Sequence, residues 1–322
     1  MALASFLAGC GSSGSSGTKP VAKASGTGCA PIAGTQLVTL ADDKHLQLSD
    51  VVIPIWTTQV NKPPLANALN KVSSVLDQTA LNGMNKAVSV DRQTPAQAAA
   101  AFAKSAGLDS GIGGGGSGKI AVVYADFGED HEMAELYKIV LDEAGYQAST
   151  QAVSTRELYL PLLKQNKVQV VPDYAASLTT ALYQGATKKT DNGPVGGDIS
   201  TTLAGLKQYA PGANLVVGTP STATDVNAFA VTAATAQKYG LKTLSDFAAK
   251  CSGKATTLAG PAECPTRPFC EEGLQQTYKI SFGGFVNMGT DAGGPVTKKA
   301  LTDGKATLGL VFSSDPTVSA AS

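Results

Sequence analysis

Residues 119–178 alternate between strand-like and helix-like patterns, and this alternation restricts the possible folds more than any other feature of the chain. Residues 120–124 are a short apolar run of the kind that forms a buried strand. Apolar residues at helical spacing follow from Met133 to Ala144, and Gly145 then favours the left-handed cap of a helix. The sequence therefore predicts an α/β fold.

A second strand and helix follow the first pair. Residues 168–171 predict a strand, and residues 172–174 are expected to end it before a helical pattern returns. Ligands of open α/β sheets bind beyond the carboxyl ends of the strands, where Asp126, Phe127 and Tyr174 are expected to lie. This placement favours a receptor for a small solute over an enzyme.

The length and charge of the chain limit the kinds of protein that it can be. With 322 residues it has room for about two domains, and 43% apolar against 16% charged residues is typical of a globular protein. Basic and acidic residues number 25 each. A chain without a basic excess is not expected to bind nucleic acid.

The N-terminal region carries a possible anchor. Residues 7–10 read Leu-Ala-Gly-Cys, and a Gly/Ser spacer covers residues 11–17. The pattern resembles the lipobox of bacterial lipoproteins, which implies that Cys10 is lipidated and that the protein works at the outer face of the cell membrane or in the periplasm. No basic segment precedes it, so the sequence is expected to start inside a longer signal peptide. The alternative is a disordered apolar tail with an incidental cysteine.

Four further cysteines predict two disulfides in an exported protein. Three pairings are open, and we favour Cys264 with Cys270 because the short spacer between them closes easily, which leaves Cys29 with Cys251. A zinc site is the rival interpretation. It is disfavoured because the chain has no Cys-x-x-Cys pair and only two histidines. No cofactor is expected.

Residues 111–118 are rich in glycine and formally match a Gly-x-Gly-x-x-Gly pattern. A loop that holds phosphate follows a strand and opens a helix, whereas this one follows a helical pattern and opens a strand. It is therefore interpreted as a linker.

Further elements are predicted on both sides of this region. Strands are expected at residues 37–40, 51–55, 215–217, 229–231, 256–258 and 308–312. Helices are expected at residues 65–76, 94–107, 243–250, 271–278 and 296–301.

Several segments resemble the glycine betaine and osmoprotectant substrate-binding proteins of ABC transporters. They are residues 156–178 (RELYLPLLKQNKVQVVPDYAASL), 227–248 (NAFAVTAATAQKYGLKTLSDFA), 260–268 (GPAECPTRP) with 271–282, and 291–315 (DAGGPVTKKALTDGKATLGLVFSSD). Residues 37–54 and 69–88 resemble the C-terminal end of the same family, yet here they come first. The resemblance implies a two-lobed, periplasmic-binding-protein-like fold of type II in circularly permuted order.

The expected organisation follows from this resemblance. The parts are residues 1–28 (signal remnant and spacer), 29–110 (lobe 1, permuted segment), 111–118 (linker), 119–225 (lobe 1, main segment), 226–312 (lobe 2) and 313–322 (tail). Permutation requires that the old termini lie close together and that the new break is exposed. Ser322 is therefore expected near residues 29–35.

The family resemblance also implies a cage of aromatic rings around a quaternary ammonium. The matching positions are Tyr174 and Ser177 in the segment that corresponds to Glu-Tyr-Thr-Gly-Thr, Phe229 in the crossing strand, Arg267 in the Arg-Pro segment and Phe312 in the last strand. Each cation–π contact contributes about 0.5 to 2 kcal/mol. Phe229 and Phe312 are also compatible with plain core positions.

One position departs from the family pattern. Many relatives have Pro-Pro-Tyr-Asn where this chain has Leu48-Ser49-Asp50-Val51, so Asp50 replaces a cage tyrosine. An aspartate neutralises an ammonium directly, which leaves open an alkylammonium without a carboxylate, a hydroxylated osmolyte or another polar solute, such as choline, carnitine or a polyol.

The resemblance implies a monomeric binding protein that hands a small solute to an ABC permease. A sensory lipoprotein with the same cleft is an alternative. An enzyme is disfavoured because no Gly-x-Ser-x-Gly elbow is present and His131-Glu132 lacks the second histidine of a zinc-protease helix.

Overall fold

A computed structural model describes residues 24–125, 128–153, 155–262, 264–289, 291 and 293–321. The strands are β1 (Leu37–Leu40), β2 (Val52–Thr57), β3 (Lys119–Tyr124), β4 (Gln147–Ala152), β5 (Val170–Tyr174), β6 (Leu215–Val217), β7 (Asn227–Thr232), β8 (Gly253–Gly260), β9 (Phe282–Asn287), β10 (Leu308–Phe312) and β11 (Ser319–Ala320). The helices are α1 (Pro63–Val75), α2 (Gln78–Ser89), α3 (Pro95–Ser105), α4 (Gly128–Glu143), α5 (Arg156–Lys164), α6 (Ala175–Thr187), α7 (Ile199–Tyr209), α8 (Ala233–Tyr239), α9 (Leu244–Cys251), α10 (Glu271–Gly273) and α11 (Pro295–Thr302).

The strands form two sheets, and each sheet is the centre of one lobe. The five-stranded lobe has the order β4-β3-β5-β2-β6, and the six-stranded lobe has the order β11-β1-β7-β10-β8-β9. The described chain passes between them after β1 and again after β6, and an antiparallel bridge joins Val51 to Thr224 at these crossings. This is the two-lobed α/β architecture that the sequence predicts.

Helices α1 and α4 cover one face of the five-stranded sheet because their apolar residues recur at helical spacing. Leu65, Leu69 and Val72 of α1 are fully buried in the same cluster as Leu136 and Val140 of α4. Further along, Thr94 and Gln97 form a capping box at the start of α3.

Both disulfides lie in the six-stranded lobe, and the favoured pairing is confirmed. Cys29 is bonded to Cys251 at the end of α9, and Cys264 is bonded to Cys270 before α10. All four side chains are buried in one apolar cluster. The Cys29–Cys251 bond attaches the segment before β1 to the six-stranded lobe, which also contains the Cys264–Cys270 bond.

Two of the expected lobe boundaries need correction. Residues 29–110 do not all belong with residues 119–225, because β1 pairs with β7 and β11 in the six-stranded sheet. The crossing to the other lobe falls between β1 and β2. Residues 313–322 are not only a tail, since β11 adds an edge strand to the same sheet.

The strand β5 runs through residues 172–174, where the sequence predicted its end. Pro172 lies opposite Pro54 of β2 in an antiparallel register. The neighbouring hydrogen bonds, from Ala175 to the carbonyl of Val51 and from Thr57 to the carbonyl of Gln169, show that the two prolines occupy a non-hydrogen-bonded pair. Neither missing N–H group therefore breaks the ladder between β2 and β5.

The glycine-rich segment 111–118 connects α3 to β3, as the linker interpretation requires. Its Gly116 packs closely, because the N–H donates to the carbonyl of Ala144 and an added Cβ would lie 2.4 Å from the ring of Tyr146. Ser322 lies outside the described residues, and the permuted order stays a prediction. None of the helices in the described part of the chain is long and apolar enough to cross a membrane.

Candidate ligand-binding cleft

A cleft of about 430 Å³ separates the two lobes. The five-stranded lobe contributes Asp50, Arg156, Glu157, Ser177 and Gln184, and the six-stranded lobe contributes Gln47, Asn227, Phe269 and Phe312. Asp225 and Val226, on the second crossing, also line the cleft. One wall is thus charged and the other carries amides and rings.

The side chain of Asp50 caps helix α6 from outside the helix. Its carboxylate accepts hydrogen bonds from the N–H groups of Ala176 and Ser177 at 2.8 and 2.9 Å, and from the Ser177 hydroxyl at 2.5 Å. The positive end of the helix dipole favours a negative charge at this place. Burial raises the pKa of Asp50, and the hydrogen bonds from Ser177 offset part of that rise. Asp50 and Ser177 are thus bonded to each other at the edge of the cleft.

An ion pair stands beside this cap. The guanidinium of Arg156 donates to the carboxylate of Asp173, with the shortest N···O distance at 2.6 Å. The hydroxyl of Tyr159 donates to the other carboxylate oxygen at 2.7 Å, and Asp173 is fully buried on β5. The guanidinium is partly exposed to the cleft, but its charge is balanced by Asp173.

Tyr174, at the end of β5, is buried and is not among the described residues that line the cleft. It lines an adjoining cavity of about 380 Å³ that shares Asp50 and Ser177 with the cleft, and its hydroxyl donates to Glu129 at the start of α4. Asn85 donates to the other oxygen of Glu129 at 2.6 Å. Burial, together with the nearby charge of Asp225, raises the pKa of Glu129 to about 7.

Two phenylalanines of the six-stranded lobe face the charged wall. Phe312 ends β10, has 37% of its surface exposed and lines the cleft. Phe269 was not among the candidates, although its position beside Cys270 in a short disulfide loop is a usable signal. Gln47 and Asn227 donate to its carbonyl oxygen at 3.1 and 3.2 Å, which holds the loop against the cleft.

Other expected site residues lie elsewhere or outside the described residues. Phe229 is buried in the core of the six-stranded lobe, with 1% of its surface exposed. Arg267 is exposed and is not among the described residues that line the cleft. Cys10, Asp126 and Phe127 lie outside the described residues.

The charges around the cleft are mostly negative. Among the described lining residues, Asp50, Glu157 and Asp225 carry carboxylates, whereas Arg156 alone carries a positive charge. Since that charge is paired with Asp173, the cleft has an excess of acid. Carboxylates and aromatic faces together are suited to a cation.

Comparison with known proteins identifies the family. A search of curated proteins gave no match. A solved structure described as "glycine betaine/carnitine/choline ABC transporter" is 18% identical over 60% of this chain and 68% of that chain, with a TM-score of 0.41, and a likeness this weak has no bearing on the ligand. The family model described as "Substrate binding domain of ABC-type glycine betaine transport system" matches residues 29–105 and 118–321, and the unmatched residues between them include most of the glycine-rich segment. The chain belongs to this family of ABC-transporter substrate-binding domains, which is a family of binding proteins for transport and not of enzymes.

Proposed function

We propose that this protein binds a small quaternary-amine solute in the cleft between its lobes and presents it to the permease of an ABC importer. The supporting observation is that the two walls of the cleft differ in their chemistry. Carboxylates of Asp50, Glu157 and Asp225 lie on or beside the five-stranded lobe, across from the rings of Phe269 and Phe312. A quaternary ammonium cannot donate a hydrogen bond, so it depends on charge and on ring faces.

Lobe closure is the proposed signal to the permease. The rings and the carboxylates belong to different lobes, so the solute makes both sets of contacts fully only when the lobes approach each other. The solute then stabilises the closed form by the free energy of these added contacts. A permease that distinguishes the two forms accepts only the loaded protein.

The charges of the cleft favour a solute without a carboxylate, such as choline, over glycine betaine. A zwitterion needs a positive group for its carboxylate, but Arg156 is paired with Asp173 and the start of α6 is occupied by Asp50. Glycine betaine, carnitine and polyols are the alternatives.

Calorimetric titration distinguishes these solutes. Choline, glycine betaine, carnitine and a polyol are added separately to the purified protein at one pH and ionic strength. We expect choline to bind most tightly. Tighter binding of glycine betaine would overturn the charge argument, and no binding of any of the four would overturn the proposed function. Uptake of the best solute by cells that lack this protein then distinguishes a transport role from a sensory one.

We also propose that Cys10 carries the lipid anchor. Binding proteins of ABC importers act outside the cytoplasm, and the lipobox pattern of residues 7–10 supports attachment to the outer face of the membrane. A Cys10→Ser variant should leave the membrane fraction and appear in the soluble exported fraction. Retention of the variant in the membrane would contradict the anchor.

A further inference from the structure

Helix α2 presents a row of amide side chains to the segment that follows β10. Gln78, Asn82 and Asn85 recur at intervals of four and three residues, so they lie along one face of the helix. A neighbouring face carries Leu81 and Met84, which are buried in the core of the five-stranded lobe. The amide row (Gln78, Asn82 and Asn85) is therefore fixed to the five-stranded lobe.

The amide row makes hydrogen bonds across the boundary between the lobes. The side-chain nitrogen of Gln78 donates to the carbonyl of Ser313 at 3.1 Å, and that of Asn82 donates to the same carbonyl at 3.4 Å. The side-chain nitrogen of Asn85 donates to the carbonyl of Ser314 at 3.0 Å. Because α2 belongs to one lobe and β10 to the other, these bonds tie the end of β10 to the five-stranded lobe.

Gln78 also binds the second crossing between the lobes. Its side-chain oxygen accepts hydrogen bonds from the N–H group and the hydroxyl of Thr224 at 2.9 and 3.0 Å, and its nitrogen donates to the carbonyl of Thr224 at 3.1 Å. Ser313 is held by the same crossing. Its hydroxyl donates to the carbonyl of Thr224 at 2.9 Å, and its N–H group donates to the carbonyl of Val226 at 2.9 Å. A single glutamine thus connects α2, the crossing and the end of β10.

The segment held by the amide row carries or contacts two groups of the cleft. Phe312 directly precedes Ser313, and its backbone pairs with Asn227 of β7. Its ring is partly exposed, so the position of the ring depends largely on that of the backbone. The hydroxyl of Ser314 donates to the carboxylate of Asp225 at 2.7 Å. Phe312 and Asp225 both line the cleft, and a ring face and a carboxylate are the groups that attract a cation.

We propose that Gln78 and Asn82 are positioning residues for Phe312, which hold the backbone beside the ring so that the ring is in place before the solute binds. This role rests on the proposed binding of a quaternary amine in the cleft. A ring that is already in place loses less conformational entropy on binding. The two amides act through Phe312 and not on the solute, since neither is among the described residues that line the cleft.

A double-mutant cycle tests whether Gln78 acts through Phe312. The Kd for choline is measured by calorimetry for the wild type, Gln78→Ala, Phe312→Ala and the double variant. We expect Gln78→Ala alone to raise the Kd about three- to tenfold, which corresponds to the freeing of one side chain. The same change should have almost no effect where Phe312 is already replaced, because residues that act together are not additive. Equal factors in both backgrounds, or an unchanged Kd for Gln78→Ala, would overturn the proposal.

Asn70→Ala is the matched control, because it removes another amide of the five-stranded lobe. Asn70 of α1 accepts a hydrogen bond from the N–H group of Thr219 at 2.8 Å, and it is not among the described residues that line the cleft. The variant should leave the Kd for choline unchanged. A Kd that rises equally in Asn70→Ala and Gln78→Ala would show a general loss of structure and contradict a positioning role.

Asn82→Ala is a milder variant that keeps the proposal testable if Gln78→Ala does not fold. It removes the 3.4 Å bond to Ser313 and leaves Gln78 bound to the second crossing. Its smaller rise in Kd should also disappear in the Phe312→Ala background, and persistence there would contradict the proposal.

The cycle also separates this proposal from the proposed function. If the wild type does not bind choline, the cycle uses the tightest-binding of glycine betaine, carnitine and the polyol. Binding of none of them would overturn the proposed function and the positioning role with it. Binding that Phe312→Ala weakens and Gln78→Ala does not would overturn the positioning role alone. Binding that Phe312→Ala leaves unchanged would overturn it as well, because the ring would then make no contact with the solute.

Discussion

The two lobes of this protein hold their halves of the cleft by different means. The five-stranded lobe builds its wall from buried charges, with Asp173 bonded to Arg156 and Tyr159, and with Asp50 capping α6. The six-stranded lobe builds its wall from rings and amides on a framework that contains both disulfides. The first arrangement depends on ionisation, whereas the second depends on covalent bonds.

The two lobes also differ in what their apolar cores contain. The five-stranded lobe contains two large apolar clusters, one on each side of its sheet, and these offset the cost of burying charged groups. The six-stranded lobe also has two apolar clusters, and all four cysteines of the described chain lie in the larger of them. Stability in one lobe should therefore respond to pH and in the other to reduction.

Removal of the Cys29–Cys251 bond is the strongest test of this contrast. The bond joins residues 222 positions apart, and Cys264–Cys270 joins residues 6 apart. The chain-entropy model assigns about 5 kcal/mol to a loop of the first size and about 2 kcal/mol to the second. Urea denaturation of the two double Cys→Ser variants should show a larger loss of unfolding free energy for the first pair. A similar loss for both would remove the entropic explanation.

The Asp173→Ala change tests the charged lobe. It leaves Arg156 without its partner and Tyr159 without its acceptor, so the free energy of unfolding should fall by about 3 to 4 kcal/mol. Asp91→Ala in the same lobe is the control, because Asp91 forms an exposed pair with Lys86 that contributes about 0 to 1 kcal/mol. If both changes lowered the free energy of unfolding equally in urea denaturation, the buried pair would not contribute more to stability than the exposed one.

Titration of Glu129 should make stability depend on pH. Burial, with the charge of Asp225, raises the pKa of Glu129 from 4.5 to about 7, so the folded protein keeps a proton that the unfolded chain has lost between these values. The unfolding free energy should therefore fall by about 2 to 3 kcal/mol as the pH rises through this window. Glu132, with a pKa raised to about 8 by burial, acts in the same direction.

The Glu129→Gln variant isolates that contribution. Its amide oxygen can still accept the hydrogen bond from Tyr174, but the group does not titrate. Denaturation curves at a series of pH values should show a smaller slope for the variant than for the wild type. An unchanged slope would assign the pH dependence to other groups.

Removal of the Phe312 ring is expected to have the smallest effect, and it acts on binding and not on folding. Phe312→Ala should raise the Kd for choline about five- to thirtyfold, which corresponds to about 1 to 2 kcal/mol for one cation–π contact. Phe312→Leu keeps an apolar side chain but removes the ring, so it distinguishes the cation–π contact from the burial of apolar surface. Arg267→Ala is the control outside the cleft. Because Arg267 is exposed and does not line the cleft, its replacement should leave the Kd nearly unchanged. A larger loss from Arg267→Ala than from Phe312→Ala in calorimetry would place the site nearer the disulfide loop.

Much of the local structure follows from short-range patterns. The apolar run of residues 120–124 lies within β3, and the capping sequence at Thr94 starts α3. The short spacer between Cys264 and Cys270 identified one disulfide and, by elimination, the other. These features depend on neighbours within a few residues, which is why a single sequence reveals them.

The site was predicted less well because its residues act through distant partners. Asp50 was considered as a replacement for a cage ring, whereas its carboxylate is bound to the start of α6. Phe269 was missed, since its place at the cleft depends on hydrogen bonds from Gln47 and Asn227. Pro172 suggested the end of a strand because its opposite partner, Pro54, cannot be known from local sequence.

The sequence alone determined the α/β class, the family and the order of most strands and helices, because periodicity and motifs are properties of adjacent residues. Tertiary structure decided which lobe contains β1, which acids are capped or paired, and which rings face the cleft. These outcomes depend on contacts between segments such as β1 and β7, nearly 200 residues apart, whose free energies appear only when both segments are in place.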